Sequence, residues 1–254
     1  MTEPSSPVID LQLRHRSVRQ YTQEPVTDAQ LELIITAAQR ASTSSNLQIT
    51  TVVAIRDADR KRRISEAIGG RQYVEDASVF LVWIADFSRN VELVRAQGLE
   101  TETMGLIENT LVGAVDVGIA AQNALLAAES LGFGGVFVGS IRNNPEAVSE
   151  ELGLPQHAFP IVGLALGSPD PEEQNGIKPR LPLSGVLHHE TYDAARWRDA
   201  VETYETEYRE YFETQGVPER SWARTVTRRI ATPAGMHGRH TMRDSLRSQG
   251  FDSE

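Results

Sequence analysis

The sequence predicts an α+β protein, a three-layer α/β/α sandwich with a central helix. Three observations predict it. Four short segments, residues 49–55, 78–85, 135–139 and 159–167, are rich in β-branched and aromatic residues and read as strands. These segments are apolar at successive positions, so helices are expected to cover both faces of the sheet. Between them lies one long segment, 104–131, that is apolar or small around most of its circumference, the pattern of a helix buried on more than one side.

The elements follow in chain order. Thr27 and Gln30 form a capping box ahead of Leu31, Ile34, Ile35 and Ala38, which recur at helical spacing. After the strand at 49–55 comes a charged helical stretch, 57–68, closed by Gly69-Gly70. The strand at 78–85 precedes the long helix, and 135–139 (GVFVG) follows it. Asn144-Pro145 opens a helix with proline at its first position. The strand at 159–167 runs into a proline-rich loop that ends near Pro182, and residues 194–213 form a polar helix studded with Tyr and Glu.

Composition narrows the function. The chain has 254 residues, enough for a sizeable core, and 40% of them are hydrophobic. There is no cysteine, which excludes disulfides, thiolate metal sites, iron–sulfur clusters and a cysteine nucleophile. The net charge of -10 argues against nucleic acid or an anionic membrane as partner. No apolar run reaches membrane-spanning length and no signal peptide is evident, so a cytoplasmic location is expected. From Gly216 onward, however, seven arginines face four carboxylates. That tail reads as an appendage, either solvated or docked on the acidic body of the same or a partner subunit.

Familiar ligand motifs are missing. There is no phosphate loop, and the glycines at 132, 134, 135 and 139 do not spell the dinucleotide-binding pattern. No G-x-S-x-G elbow and no H-E-x-x-H pair occur. His188-His189 are adjacent and diverge on either kind of element; His237 and His240 read as surface.

Three segments carry chemistry suited to an anionic, planar ligand. His15-Arg16-Ser17-Val18-Arg19 offers three cation-capable groups and a hydroxyl, which suits a phosphate or forms a solvated basic turn. The run from Ser42 to Gln48 (STSSNLQ) is a loop, or a set of donors for ligand hydroxyls and ring heteroatoms. Lys178-Pro179-Arg180 places one of only two lysines beside an arginine on a proline-restrained loop. It too is either a charged loop or a cationic site.

Together these segments, with FGGVFVGSIRNN, LPQH and KPRLP in the same order, resemble the flavin-dependent nitroreductase superfamily. The similarity is to its branch of oxygen-insensitive NADPH nitroreductases and NADPH–FMN reductases, and runs from about Val8 to the end. The resemblance implies an intertwined homodimer with two FMN sites at its interface. It implies an FMN-binding core over 1–190 and, over 191–254, a helical C-terminal extension that embraces the partner subunit. It assigns His15, Arg16, Ser17 and Arg19 to the FMN phosphate and ribityl chain. Thr43, Ser44 and Ser45 contact the cofactor from the same or the neighbouring subunit, Gly139 and Ser140 pass the flavin ring, and Lys178 and Arg180 complete the cationic end.

Four positions depart from the family's pattern. Ser140 stands where a second glycine is common, and Arg71, followed by Gln72, where glutamine is common. Asn46 replaces a frequent aromatic, and Gln215 stands near the position of an arginine used for the NADPH 2'-phosphate, leaving Arg220 or Arg224 to substitute. Asn46, Tyr73, Gln215, Arg220 and Arg224 are the candidate substrate and nucleotide contacts. No side chain is expected to be catalytic, because the chemistry lies on FMN. The implied activity is two-electron, ping-pong hydride transfer from NADPH or NADH to small-molecule acceptors such as nitroaromatics, quinones or flavins. A cation beside the ring, from Arg19, Lys178 or Arg71, would favour the reduced anion. The alternatives are a flavin reductase supplying reduced FMN to a partner monooxygenase and a non-catalytic flavin carrier or sensor.

Overall fold

Four strands form one antiparallel sheet in a computed structural model that describes residues 6–252. They are β1 (Thr50–Ile55), β2 (Val79–Asp86), β3 (Gly134–Val138) and β4 (Ala158–Gly167), in the order β1-β2-β4-β3. Register is set by apolar pairs such as Val53 opposite Val82 and Phe137 opposite Leu164. The helices are α1 (Pro7–Leu13), α2 (Asp28–Ala38), α3 (Ala58–Ala67), α4 (Gln72–Asp76), α5 (Ser88–Ala96), α6 (Ile107–Ser130), α7 (Pro145–Leu152), α8 (Trp197–Thr214), α9 (Trp222–Ile230) and α10 (Met242–Ser248).

The chain divides into two compact units. The first extends through Leu13, over Ser17–Glu173 and from Gly238 onward; the second comprises Arg14–Arg16 and Gln174–His237.

In the first unit, the pleat of β2 sends Phe80, Val82 and Ile84 to one face and Val79, Leu81, Trp83 and Ala85 to the other. Ile64 and Ile68, from α3 and its C-cap, Val74 of α4 and Val148 of α7 pack on the first face. Ile34 and Ala38 of α2 and Val117, Ala121, Ala124 and Leu125 of α6 pack on the second. The expected three layers are therefore present. An antiparallel sheet commonly leaves one face wet; this one has apolar residues at both parities and is covered twice. Each large side chain so buried contributes about 1.5–3 kcal/mol.

Local signals set the helix ends. Thr27 Oγ1 accepts from the Gln30 amide at 3.3 Å and Gln30 Oε1 from the Thr27 amide at 2.8 Å. Asp57 Oδ1 caps α3 through the Arg60 amide, and Asn144 Oδ1 caps α7 behind Pro145. The polar helix expected at 194–213 is α8.

The long helix differs from expectation. Within the chain α6 buries one side, through Gly113, Asp116, Val117, Ala120 and Ala121. Leu111, Val115 and Ile119 on the other side are 55%, 57% and 41% exposed. Small residues let the buried side approach closely: a Cβ on Gly113 would stand 2.9 Å from that of Ala85. By length and composition alone α6 could cross a membrane, contrary to the expectation that no run reaches that length; here it lies on the sheet.

The arginine-rich tail is not simply an appendage. Its early part forms α9 in the second unit, but from Gly238 it belongs to the first. There Leu246 and Phe251 are buried, and the Phe251 ring meets Phe87 and Phe159 edge-on at 5.9 and 6.3 Å. Two apolar anchors are hidden by the surrounding charge. In the second unit, Glu205 of α8 accepts from the Trp222 and Ala223 amides at 3.0 and 3.1 Å, closing the N-terminus of α9. Burial pushes this carboxyl up, but the Ser221 hydroxyl and the two amides hold it below the usual range.

Candidate active site

The Ser-rich run forms a short 3-10 turn at Ser44–Asn46, with Ser45, Asn46 and Gln48 at φ of 48°, 55° and 51°. Three left-handed non-glycine residues in four is a strained arrangement, of the kind concentrated at ligand sites. It is held from below. Asp116, 4% exposed, projects from α6 and accepts from Thr43 Oγ1 at 2.8 Å and from the Ser44 amide at 3.0 Å. Thr43 Oγ1 in turn accepts from the Gln48 amide at 3.1 Å. This loop rims a cleft of about 910 Å³ whose lining includes Asn46, Trp83, Arg89 and Asp116.

A second place is the 3-10 turn Gly139–Asn143 beyond β3. Ser140 is buried, and among the described residues its Oγ has no hydrogen-bond partner. A Cβ on Gly139 would stand 3.5 Å from Arg142 Nη2 and 4.0 Å from Arg239 Nη1. Arg239 comes from the tail and donates through Nε to Asn143 Oδ1 at 2.8 Å; Arg142 donates to the Ile161 carbonyl. Ser17–Arg19 runs beside the start of β3, where the Val18 amide donates to the Gly135 carbonyl at 3.0 Å. The Arg19 amide donates to Glu173 Oε1 at 2.8 Å.

Arg71 and Tyr73 lie on a third segment. Arg71 precedes α4, and its amide donates to Ser65 Oγ at 2.7 Å; Tyr73 packs half-buried on the α3–α7 side of the sheet. Thr43 and Ser44 are tied to α6, on the opposite side. The sheet thus separates two sets of residues expected at one flavin.

In the second unit, Arg16 Nη1 donates to the Asn175 carbonyl at 3.4 Å, joining the His15-Arg16 dipeptide to the loop that bears Lys178. Lys178 Nζ stands 5.5 Å from the Phe212 ring centre and the Arg220 guanidinium 5.1 Å from the same ring, so these two cations are brought together. Tyr204 and Tyr211 donate to the Pro179 and Gly176 carbonyls at 3.3 and 3.2 Å and fix the loop. Arg180 folds back on the Lys178 carbonyl. Gln215 caps α8, and Arg224 is exposed on α9. His188 stacks on Tyr192 at 4.7 Å, while His237 and His240 are exposed.

Sequence reasoning missed Asp116, Arg142 and Arg239. Asp116 had a signal, an acid in the middle of an otherwise apolar helix. Arg142 stands within the SIRNN motif but looks like a surface cation, and nothing local marks Arg239.

Comparison with known proteins bears on the family and the fold. Residues 13–168 match the nitroreductase family and 178–254 the nitroreductase family C-terminal domain. The chain is 39% identical over 244 residues to an FMN reductase [NAD(P)H] of Bacillus subtilis, covering 94% of this chain and 96% of that one. It is 40% identical over 227 residues to an oxygen-insensitive NADPH nitroreductase of Salmonella typhimurium, covering 89% and 91%. The structure of B. megaterium NfrA2 superposes with a TM-score of 0.92 at 36% identity, covering 98% of this chain and 100% of that one.

Proposed function

This chain belongs to the nitroreductase family, and on that premise we propose that it is an FMN-dependent NAD(P)H oxidoreductase acting on nitroaromatics, quinones or flavins. The observation that carries this reading is the buried Ser140 hydroxyl, left without a partner beside a glycine that two guanidinium groups flank. A buried polar group is normally paired. An orphan next to open backbone and concentrated positive charge fits an anionic flavin edge.

FMN, when bound, supplies the hydride chemistry between nicotinamide and acceptor. The chain's own residues bind and orient. His15, Arg16, Ser17 and Arg19 have the donors for the phosphate and ribityl chain. Thr43, Ser44 and Ser45 add hydroxyls and amides, Gly139 and Ser140 meet the ring edge, and Lys178 and Arg180 add positive charge. Arg71, at the start of α4, adds a cation toward the flavin, and Tyr73 within α4 is a contact proposed for the substrate. Gln215, Arg220 and Arg224 are the contacts proposed for the nucleotide, and Asn46 for the acceptor.

A homodimer completes this reading. Thr43–Ser45 and Arg71 lie on opposite sides of one sheet, which favours a flavin shared between Thr43–Ser45 of one chain and Arg71 of another. The exposed Leu111, Val115 and Ile119 on α6 supply an apolar surface for that pairing. The acidic, cysteine-free sequence fits a cytoplasmic setting.

The test is an absorption spectrum of the purified protein followed by anaerobic addition of NADPH or NADH. Flavin bands that bleach support the reading, and the faster nucleotide identifies the donor. A protein that binds FMN without bleaching is a carrier or sensor, which sinks it. Similarity to an FMN reductase fits reduction of free flavin, and delivery of that reduced FMN to a partner monooxygenase is the second reading. Rapid exchange of bound for free flavin would support that role.

A further inference from the structure

We propose that Lys61 and Ser65 are positioning residues that set Arg71 and Tyr73 by gripping α4 at both ends. The inference rests on the reading of Arg71 as a flavin contact. Lys61 and Ser65 stand four residues apart on one face of α3, and both are buried, at 6% and 0% exposure. Ser65 Oγ accepts from the Arg71 amide at 2.7 Å, at the start of α4. Lys61 Nζ donates to the Glu75 and Ala77 carbonyls at 2.7 and 2.5 Å, at its end.

The geometry suits this task. The turn from α3 to α4 passes through Gly69 and Gly70 at φ of 98° and 66°, a hinge that other residues rarely adopt. A five-residue helix has little stability of its own. Beyond the glycines, its direction is fixed by the packing of Tyr73, Val74 and Ala77 and by the two grips from α3. Arg71 Nη2 lies 3.9 Å from where a Cβ on Gly69 would stand, so the side chain folds back over the same hinge. A buried lysine is costly unless its donors are used. Burial lowers the Lys61 pKa, partly opposed by Asp76 and Glu75, and the two carbonyls it reaches lie at the last turn of α4 and just past it, where helix carbonyls lack intrahelical donors. With arginine the usual cation of this chain, a compact ammonium at this position fits a site that gathers two carbonyls at one point.

The experiment measures FMN dissociation constants by flavin fluorescence, and melting temperatures of the apo protein, for Ser65→Ala, Lys61→Met, Arg71→Ala and the double variant Ser65→Ala/Arg71→Ala. Ser65→Ala is included because Lys61→Met loses more of the fold. The expected result is about tenfold weaker FMN binding for Arg71→Ala and for Lys61→Met, several-fold for Ser65→Ala. In the Arg71→Ala background, Ser65→Ala should add nothing to the loss of affinity. Full additivity, or lowered melting temperatures with unchanged FMN affinity in both α3 variants, overturns the proposal while leaving Arg71 a flavin contact. Unchanged affinity in Arg71→Ala alone overturns that reading and this proposal with it.

Discussion

At the scale of single residues, Asp116 and Ser140 make opposite statements about buried polarity. Asp116 is buried and paired: its carboxylate ties Thr43 and the Ser44 amide to α6. Replacing it with alanine leaves a hydroxyl and an amide without their acceptor, a cost of about 1–3 kcal/mol. We expect Asp116→Ala to lose that much in urea denaturation and to weaken FMN binding, because the strained Ser45–Gln48 backbone loses its anchor. Ser140 is buried and unpaired. Its hydroxyl is a cost to the free protein that a ligand would relieve. Ser140→Ala should therefore leave the apo melting temperature unchanged or raised and yet weaken FMN binding. Loss of apo stability with intact FMN affinity would show instead that the hydroxyl serves the fold.

At the scale of elements, α3 and α7 are joined by charge across the outer layer. Glu151 of α7's last turn accepts from Arg63 at 2.8 and 2.9 Å and from Arg60 at 3.0 Å. Arg63 beside it, with Arg60, holds the Glu151 carboxyl well below the usual range, at about 2. A carboxyl depressed in the folded state adds stability above its ordinary pKa, near 4.5, and loses it as pH falls toward about 2. The pair is partly solvated, so the effect is modest. Glu151→Gln should lower the melting temperature at neutral pH and converge on the parent protein near pH 2; a constant gap across that range would rule the ion pairs out. Such elements were legible where the signal was local. The Thr27 capping box, the Asn144-Pro145 start and the doubly apolar strands all appear as the sequence predicts. α4 and α10 were not legible, because five and seven residues show little periodicity and their positions depend on partners distant in sequence, Lys61 for one and Phe87 and Phe159 for the other's neighbour Phe251. The candidate site divides the same way. Motif residues such as Thr43 and Ser140 announce themselves, whereas Arg239 reaches Gly139 only through the path of the tail.

At the scale of the whole molecule, the proposed dimer rests on the side of α6 that this chain leaves bare. Leu111, Val115 and Ile119 recur every four residues and share one stripe of the helix. Each is already about half covered, so covering the rest would contribute about 1 kcal/mol per side chain toward association. If the flavin is held by Thr43–Ser45 of one chain and Arg71 of the other, as proposed, assembly and cofactor binding are one equilibrium. A charge at the centre of the stripe should then break both. We expect Val115→Glu to sediment as a monomer that retains its helical circular dichroism and has lost high-affinity FMN binding, and FMN to shift the parent protein toward dimer at low concentration. A monomeric Val115→Glu protein that binds FMN as tightly as the parent would mean that one chain suffices, and that either the Ser-rich loop or Arg71 does not touch the flavin.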